Sequence, residues 1–115
     1  MLSARYRFHG HGSLRYVYKN GQAVRSRLLT IKHTRNKHRK HSRFAVVVSK
    51  KVHKSAVGRN RIRRRIYEII RHELSKIPDA YDIAVIVTSS EILTLPAPEL
   101  EQIVQQSMEQ ARLYK

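Results

Sequence analysis

Apolar positions along the chain follow two rhythms, one near the helical period of 3.6 residues and one of short alternating or continuous runs. The clearest helical stretch covers about residues 56–76. Ile62, Ile66, Ile69, Ile70 and Leu74 stand there at i, i+4, i+7, i+8 and i+12, which makes a single apolar stripe. Pro78 ends it, with Asp79 in the following turn. A second helix is predicted over about 98–113, introduced by Pro96 and Pro98, with Leu100, Ile103, Val104, Met108 and Ala111 facing the core. Glu99 and Glu101 suit its positive end, Arg112 and Lys115 its negative end. A short third helix is expected over 13–19, with Ser13 as cap, Leu14, Val17 and Tyr18 on one face, and Asn20-Gly21 as the break.

Between the helices lie the strand signals. Residues 23–33 alternate loosely, Leu29 and Ile31 against Leu28, Thr30 and Lys32, as one strand with a wet face would. Residues 44–49 (FAVVVS) and 81–88 (YDIAVIVT) are apolar on both faces, the signature of central strands. Strand, helix and strand in that order make a βαβ unit with parallel strands. The fold class is therefore α+β: one domain over 1–115, a small mixed sheet flanked by three helices. Residues 1–12 read as a flexible arm. Its two histidines in HGHG have no nearby carboxylate or cysteine to complete a metal site, so none is assigned.

Charge changes the picture from a generic small domain to one with a polyanionic partner. The formal net charge is +16, and it is unevenly placed. Residues 1–65 hold twenty Lys and Arg and no acidic residue; residues 66–115 hold four Lys and Arg against eight acidic residues, a net of −4. A merely solubilising charge would be interspersed, because an unrelieved positive field repels itself. Nucleic acid fits better than an anionic membrane, since no cationic stretch carries a bulky Trp- or Phe-rich face. The chain contains no cysteine, and no apolar run reaches the roughly 20 residues that span a bilayer. Without an apolar N-terminal signal either, the expectation is a soluble cytoplasmic protein. The segment 34–43, TRNKHRKHSR, carries five Lys and Arg and two His without apolar periodicity and is expected as an exposed loop.

The arginine-rich segment Gly58–Ile66 concentrates the charge: Arg59, Arg61, Arg63, Arg64 and Arg65 fall within seven positions. Arg59–Arg63 and Arg61–Arg65 are like-charge i,i+4 pairs, each unfavourable by roughly 0.2–0.5 kcal/mol. They also occupy the first turns, where the helix dipole disfavours cations, and Gly58 adds up to about 1 kcal/mol within a helix. Folding alone gives no return on a local cost of about 1–2 kcal/mol; a phosphate-rich ligand does. With Ile62 at the centre of the buried stripe, Asn60, Arg64 and Arg71 point away from the core. Arg61 and Arg65 lie on one flank, Arg63 on the other, and Arg59 leans towards the apolar side. Arginine rather than lysine favours bidentate phosphate contact and stacking on bases. Asn60 reads either as a contact to sugar, phosphate or a hydrated cation, or as a helix-start residue without further role.

These residues carry a resemblance. Val46-Val47-Val48-Ser49-Lys50-Lys51, followed by Ala56-Val57-Gly58-Arg59-Asn60-Arg61-Ile62-Arg63-Arg64, is similar to the signature of the bacterial ribonuclease P protein subunit: a strand ending in Ser-Lys-Lys and an Arg-Asn-Arg motif entering a helix. Arg7-Phe8, then Leu14, Val17, Tyr18 and Gly21, and later Tyr81-Asp82-Ile83 extend the likeness to about residues 7–113.

The resemblance implies an α/β sandwich whose βαβ crossover is left-handed, against the usual rule. It implies a protein that pairs with a catalytic RNA to remove the 5′ leader of precursor tRNA, using Mg2+ held mainly by that RNA. The protein then supplies no nucleophile or base, and no obligate protein partner is expected. Lys50, Lys51, Arg59, Asn60, Arg61, Arg63, Arg64 and Arg65 are the expected contacts to the catalytic RNA. A cleft between the first helix and the sheet, with Leu14, Tyr18, Lys32, Val46 and Val48, is expected to hold the single-stranded leader. Leu14 and Lys32 stand where relatives often present aromatics, Tyr67 replaces a commonly basic residue, and Arg65 adds one.

Two other functions compete. A ribosomal or other structural RNA-binding protein would share the size, charge and fold class. An autonomous nuclease would need acid–base or metal-holding groups on the basic face. His33, His38, His41 and His53 are there, but the first acidic residue of the chain is Glu68. Nothing resembles a helix-turn-helix or zinc finger for DNA.

Overall fold

A computed structural model describes residues 4–8, 11–36, 40–78 and 80–114, with the backbone alone for His11 and Ser13. Its helices are α1 (His11–Asn20), α2 (Ala56–Glu73) and α3 (Ala97–Gln110); its strands are β1 (Gln22–Arg25), β2 (Leu29–Arg35), β3 (Arg43–Val47) and β4 (Tyr81–Val87). The strands form one mixed sheet in the order β1-β2-β4-β3, with β3 and β4 parallel and the other pairs antiparallel. Alternation along each strand sorts the side chains onto two faces. Leu29, Ile31, Phe44, Val46, Ile83, Val85 and Val87 form the main core with Ile62, Ile66 and Ile70 of α2 and Leu100, Val104 and Met108 of α3. Ala45 and Ala84 face the other way and pack with Val17 of α1 and Phe8. The domain is therefore a three-layer α+β fold, with α2 and α3 on one face of the sheet and α1 on the other.

Helix α2 starts where Ser55 caps it, its hydroxyl accepting from Gly58 N–H, and its last turn tightens into a 3-10 turn over Leu74–Lys76. Helix α1 begins at His11, so Ser13 lies inside it instead of capping it. The Asn20-Gly21 break is also a close approach. A Cβ on Gly21 would come within 2.5 Å of the Val17 carbonyl oxygen and 2.9 Å of that of His33. The single strand expected over 23–33 is in fact a hairpin. Its turn at Ser26–Leu28 lacks Gly, Pro or Asn-Gly, and it is held by Ser26, whose N–H and hydroxyl both donate to the Leu29 carbonyl, and by Leu28, which is buried.

Segment 44–49 was expected to be a central strand, yet β3 is an edge. It is buried because its outer side is sealed. Phe8 N–H donates to the Phe44 carbonyl, and Val46 N–H donates to the Tyr67 hydroxyl at 3.1 Å. Residues 4–8 of the segment 1–12, expected as a flexible arm, take part in these contacts. Ala4–Tyr6 forms a 3-10 turn, Arg7 bridges to Phe44, and Phe8 is buried. His9, and the middle of the basic loop at 37–39, lie outside the described residues. At the far end of β3, Arg43 makes two 2.9 Å bonds to buried Asp82, which Asn36 also approaches at 2.9 Å. The first half of the chain thus meets one carboxylate of the second half in the core, where a paired charge is tolerated.

Candidate nucleic-acid interface

The arginine cluster lies on the first turns of α2, and its five guanidinium groups have different surroundings. Asn60, Arg61 and Arg64 are exposed and Arg63 is half-buried. The Arg63 guanidinium donates to the Asn60 side-chain oxygen. Arg59 turns back along the helix and donates to the carbonyls of His53 at 2.9 Å and Lys54 at 2.8 Å. Arg65 turns the other way and donates to the carbonyls of Ile92 and Leu95. Arg61 and Arg64 therefore present the open positive charge of the helix, with Lys50 and Lys51 exposed in the connection from β3. Val57, one turn before Arg61, is 69% exposed and shares this surface.

That connection is ordered by its own contacts. Val52 and His53 N–H both donate to the Ser49 carbonyl, and Ser55 N–H donates to His53 Nδ1. The His53 ring occupies the space that a side chain at 58 would need, since a Cβ on Gly58 would meet the ring at 2.2–2.7 Å. Gly58 is thus explained by close approach within the helix, where it otherwise costs stability. Farther down α2, the Arg71 guanidinium hydrogen-bonds Glu68 and holds its carboxyl down at about 2, so charge beyond the cluster is paired.

A second surface lies beside α1. Val17 seals the helix onto Ala45 and Ala84, while Leu14 is half-buried and Tyr18 is 37% exposed. Lys32, on β2, donates to the Tyr18 carbonyl at 3.1 Å and stands 5.5 Å from the centre of its ring. It caps the last turn of α1 and covers one side of the aromatic. Burial raises the Tyr18 hydroxyl pKa above its ordinary value. Tyr16, 57% exposed, lies on the opposite flank of α1 and does not join Tyr18.

Comparison with known proteins places this geometry. A family model described as Ribonuclease P matches residues 2–112. The chain belongs to the ribonuclease P protein family. The ribonuclease P protein component of Pseudanabaena is 40% identical over 73 residues, 64% of this chain and 63% of that protein. The one from Staphylococcus epidermidis is 34% identical over 105 residues, 90% of this chain and 84% of that protein. The match to the Synechocystis protein covers 57% of its length, so the first relatives are matched over about three-fifths of theirs. A solved structure of the Staphylococcus aureus RNase P protein superposes with a TM-score of 0.85 at 28% identity, over 96% of this chain and 98% of that one. The Thermotoga maritima RNase P protein shares the fold, with a TM-score of 0.78 at 23% identity, over 87% and 92% of the two chains.

Within this ribonuclease P family domain, two residues expected in the cleft are elsewhere. Val46 and Val48 are buried in the core beneath α2, on the face of the sheet away from α1. The neighbouring parity fills the cleft side. Val47, paired with Ile86, follows Ala45 on the α1 face, and both Val47 and Ile86 are half-buried, as is Thr30. Sequence reasoning missed Val47, Ile86 and Thr30 because a strand apolar on both faces hides which set of alternate residues looks outward. Tyr67, the departure from a basic residue, is buried, and its hydroxyl serves the edge of β3.

Proposed function

We propose that this chain is the protein partner of the ribonuclease P catalytic RNA, supporting removal of the 5′ leader from precursor tRNA. The observation that carries the reading is the outward face of α2. Arg61 and Arg64 stand exposed there beside Asn60, with Lys50 and Lys51 at its base, and no acidic residue occurs before Glu68. Such a surface releases counterions on meeting a phosphate backbone, and arginine forks fit phosphate oxygens. The surface beside α1 is half-apolar, which suits one unpaired strand: Tyr18 offers a ring face and Lys32 a cation to phosphate.

Mg2+ held by the RNA supplies the cleavage chemistry. The Asn60 side-chain oxygen on the cationic face accepts from Arg63, and among the described residues no three His, Asp or Glu side chains cluster. The protein's part is to bind and orient the two RNAs.

Recovering the chain from cells and sequencing its bound RNA tests this reading. Enrichment of the ribonuclease P RNA and precursor tRNA is expected, whereas dominant ribosomal RNA would replace the reading with a structural role in the ribosome. In reconstitution, the chain with catalytic RNA should cleave precursor tRNA at lower Mg2+ than the RNA alone. Cleavage by the chain alone would point instead to an autonomous nuclease.

A further inference from the structure

We propose that Arg65 is a positioning residue rather than an RNA contact, holding α2 in place through the segment Ser90–Leu95. The proposal rests on the RNA-binding reading of α2 and changes the set of residues that carry it. The guanidinium of Arg65 donates to two carbonyls at once, Ile92 and Leu95. Ile92 lies within the 3-10 turn Ser90–Leu93 and Leu95 just beyond it, and the N–H groups of Thr94 and Leu95 both donate to Glu91. Ile92 is fully buried, and Leu95 is followed by Pro96, where α3 is introduced. One fork thus fixes three pieces together: the end of the cationic half of α2, a core plug, and the entry to α3. The fork reaches them from two separate nitrogens, a spacing that the single ammonium nitrogen of lysine does not reproduce.

The surroundings of Arg65 also oppose phosphate. Its side chain lines a groove of about 330 Å³ between α2 and α3, together with Glu68, Ile69, Leu100 and Glu101. Two carboxylates, Glu68 and Glu101, rim that groove. Directing the Arg65 charge at carbonyl dipoles also relieves its i,i+4 repulsion with Arg61. The RNA footprint on α2 then ends at Arg64.

Arg65→Ala and Arg65→Lys, with Arg61→Ala as reference, decide the matter in binding to catalytic RNA across a salt series. Arg61→Ala should lower the slope of log affinity against log salt by about one. Both Arg65 variants, shown folded by circular dichroism, should keep the wild-type slope and bind about three- to tenfold more weakly. A role in stability alone would leave the affinity of the folded protein unchanged, and that result overturns the proposal. So does a slope lowered by Arg65→Ala and restored by Arg65→Lys. A second measurement needs no RNA. By NMR, the Arg65 guanidinium protons should exchange with water more slowly than those of Arg61 and Arg64, and equal exchange would refute the bridge. Should wild-type protein show no preference for the catalytic RNA, the function proposed above fails, while the NMR result still decides the placement of Arg65.

Discussion

The outward face of α2 and the cleft beside α1 are built by opposite rules. On α2 the cations stand on a helix whose far side is a packed isoleucine stripe, so Arg61 and Arg64 are exposed on a rigid base. Beside α1, the Lys32 ammonium is already bonded to the Tyr18 carbonyl and covers the Tyr18 ring, on the sheet face that half-buried Thr30, Val47 and Ile86 share. The first surface is open charge without shape; the second is shape with its charge partly engaged. On the proposed function, long-range, salt-sensitive grip on a large RNA and short-range hold on a single strand are therefore separable.

The largest expected effect tests the charged surface. Arg61→Ala combined with Arg64→Ala should weaken catalytic-RNA binding by roughly 100-fold at moderate salt and lower the salt slope by about two. The preference for precursor over mature tRNA should stay as it was. If that preference falls equally, the two surfaces are one site. A smaller effect belongs to the cleft. Tyr18→Ala should reduce precursor preference by about five- to tenfold, near the low end for base stacking because Lys32 already covers one ring face, with no change in salt slope. Tyr18→Phe should restore it, and a failure to do so would mean the hydroxyl, not the ring, makes the contact. The smallest effect on binding separates the two faces of β3. Val46→Ala should cost about 1–3 kcal/mol of stability, read by denaturant unfolding, and leave leader binding intact. Val47→Ala should do the reverse, with little loss of stability and a measurable loss of leader affinity.

Much of this contrast is legible in the residues. Ile62, Ile66 and Ile70 announce α2 and its buried side without ambiguity, because five apolar positions share one period. The acid-free first 65 residues announce a polyanion partner. The failures have local causes. Leu28 reads as a strand residue because a buried leucine in a turn has no composition signal, so the β1–β2 hairpin merges into one strand. The burial of β3 at the sheet edge depends on Phe8 and Tyr67, which reach it from 36 and 21 residues away. At 100° per residue, Arg65 falls about 60° from Ile62, the mirror of Arg59. Both can therefore turn inward, but only the carbonyls of Ile92 and Leu95, distant in sequence, decide that Arg65 does.

The hydroxyl of Tyr67 has a consequence for how the chain reaches this state. Tyr67 lies two residues beyond Arg65, on the helix that carries the cationic face, and it closes the unpaired side of β3. A naked parallel edge is a template for joining another chain, and pairing β3 with β4 must wait for closure of the long crossover that α2 spans. Helix formation, edge closure and display of the arginines then belong to one cooperative event. Molecules able to aggregate through β3 are those whose α2 has not formed, so on the proposed function excess catalytic RNA, by drawing the population towards the folded helix, would act as a solubility factor for the protein.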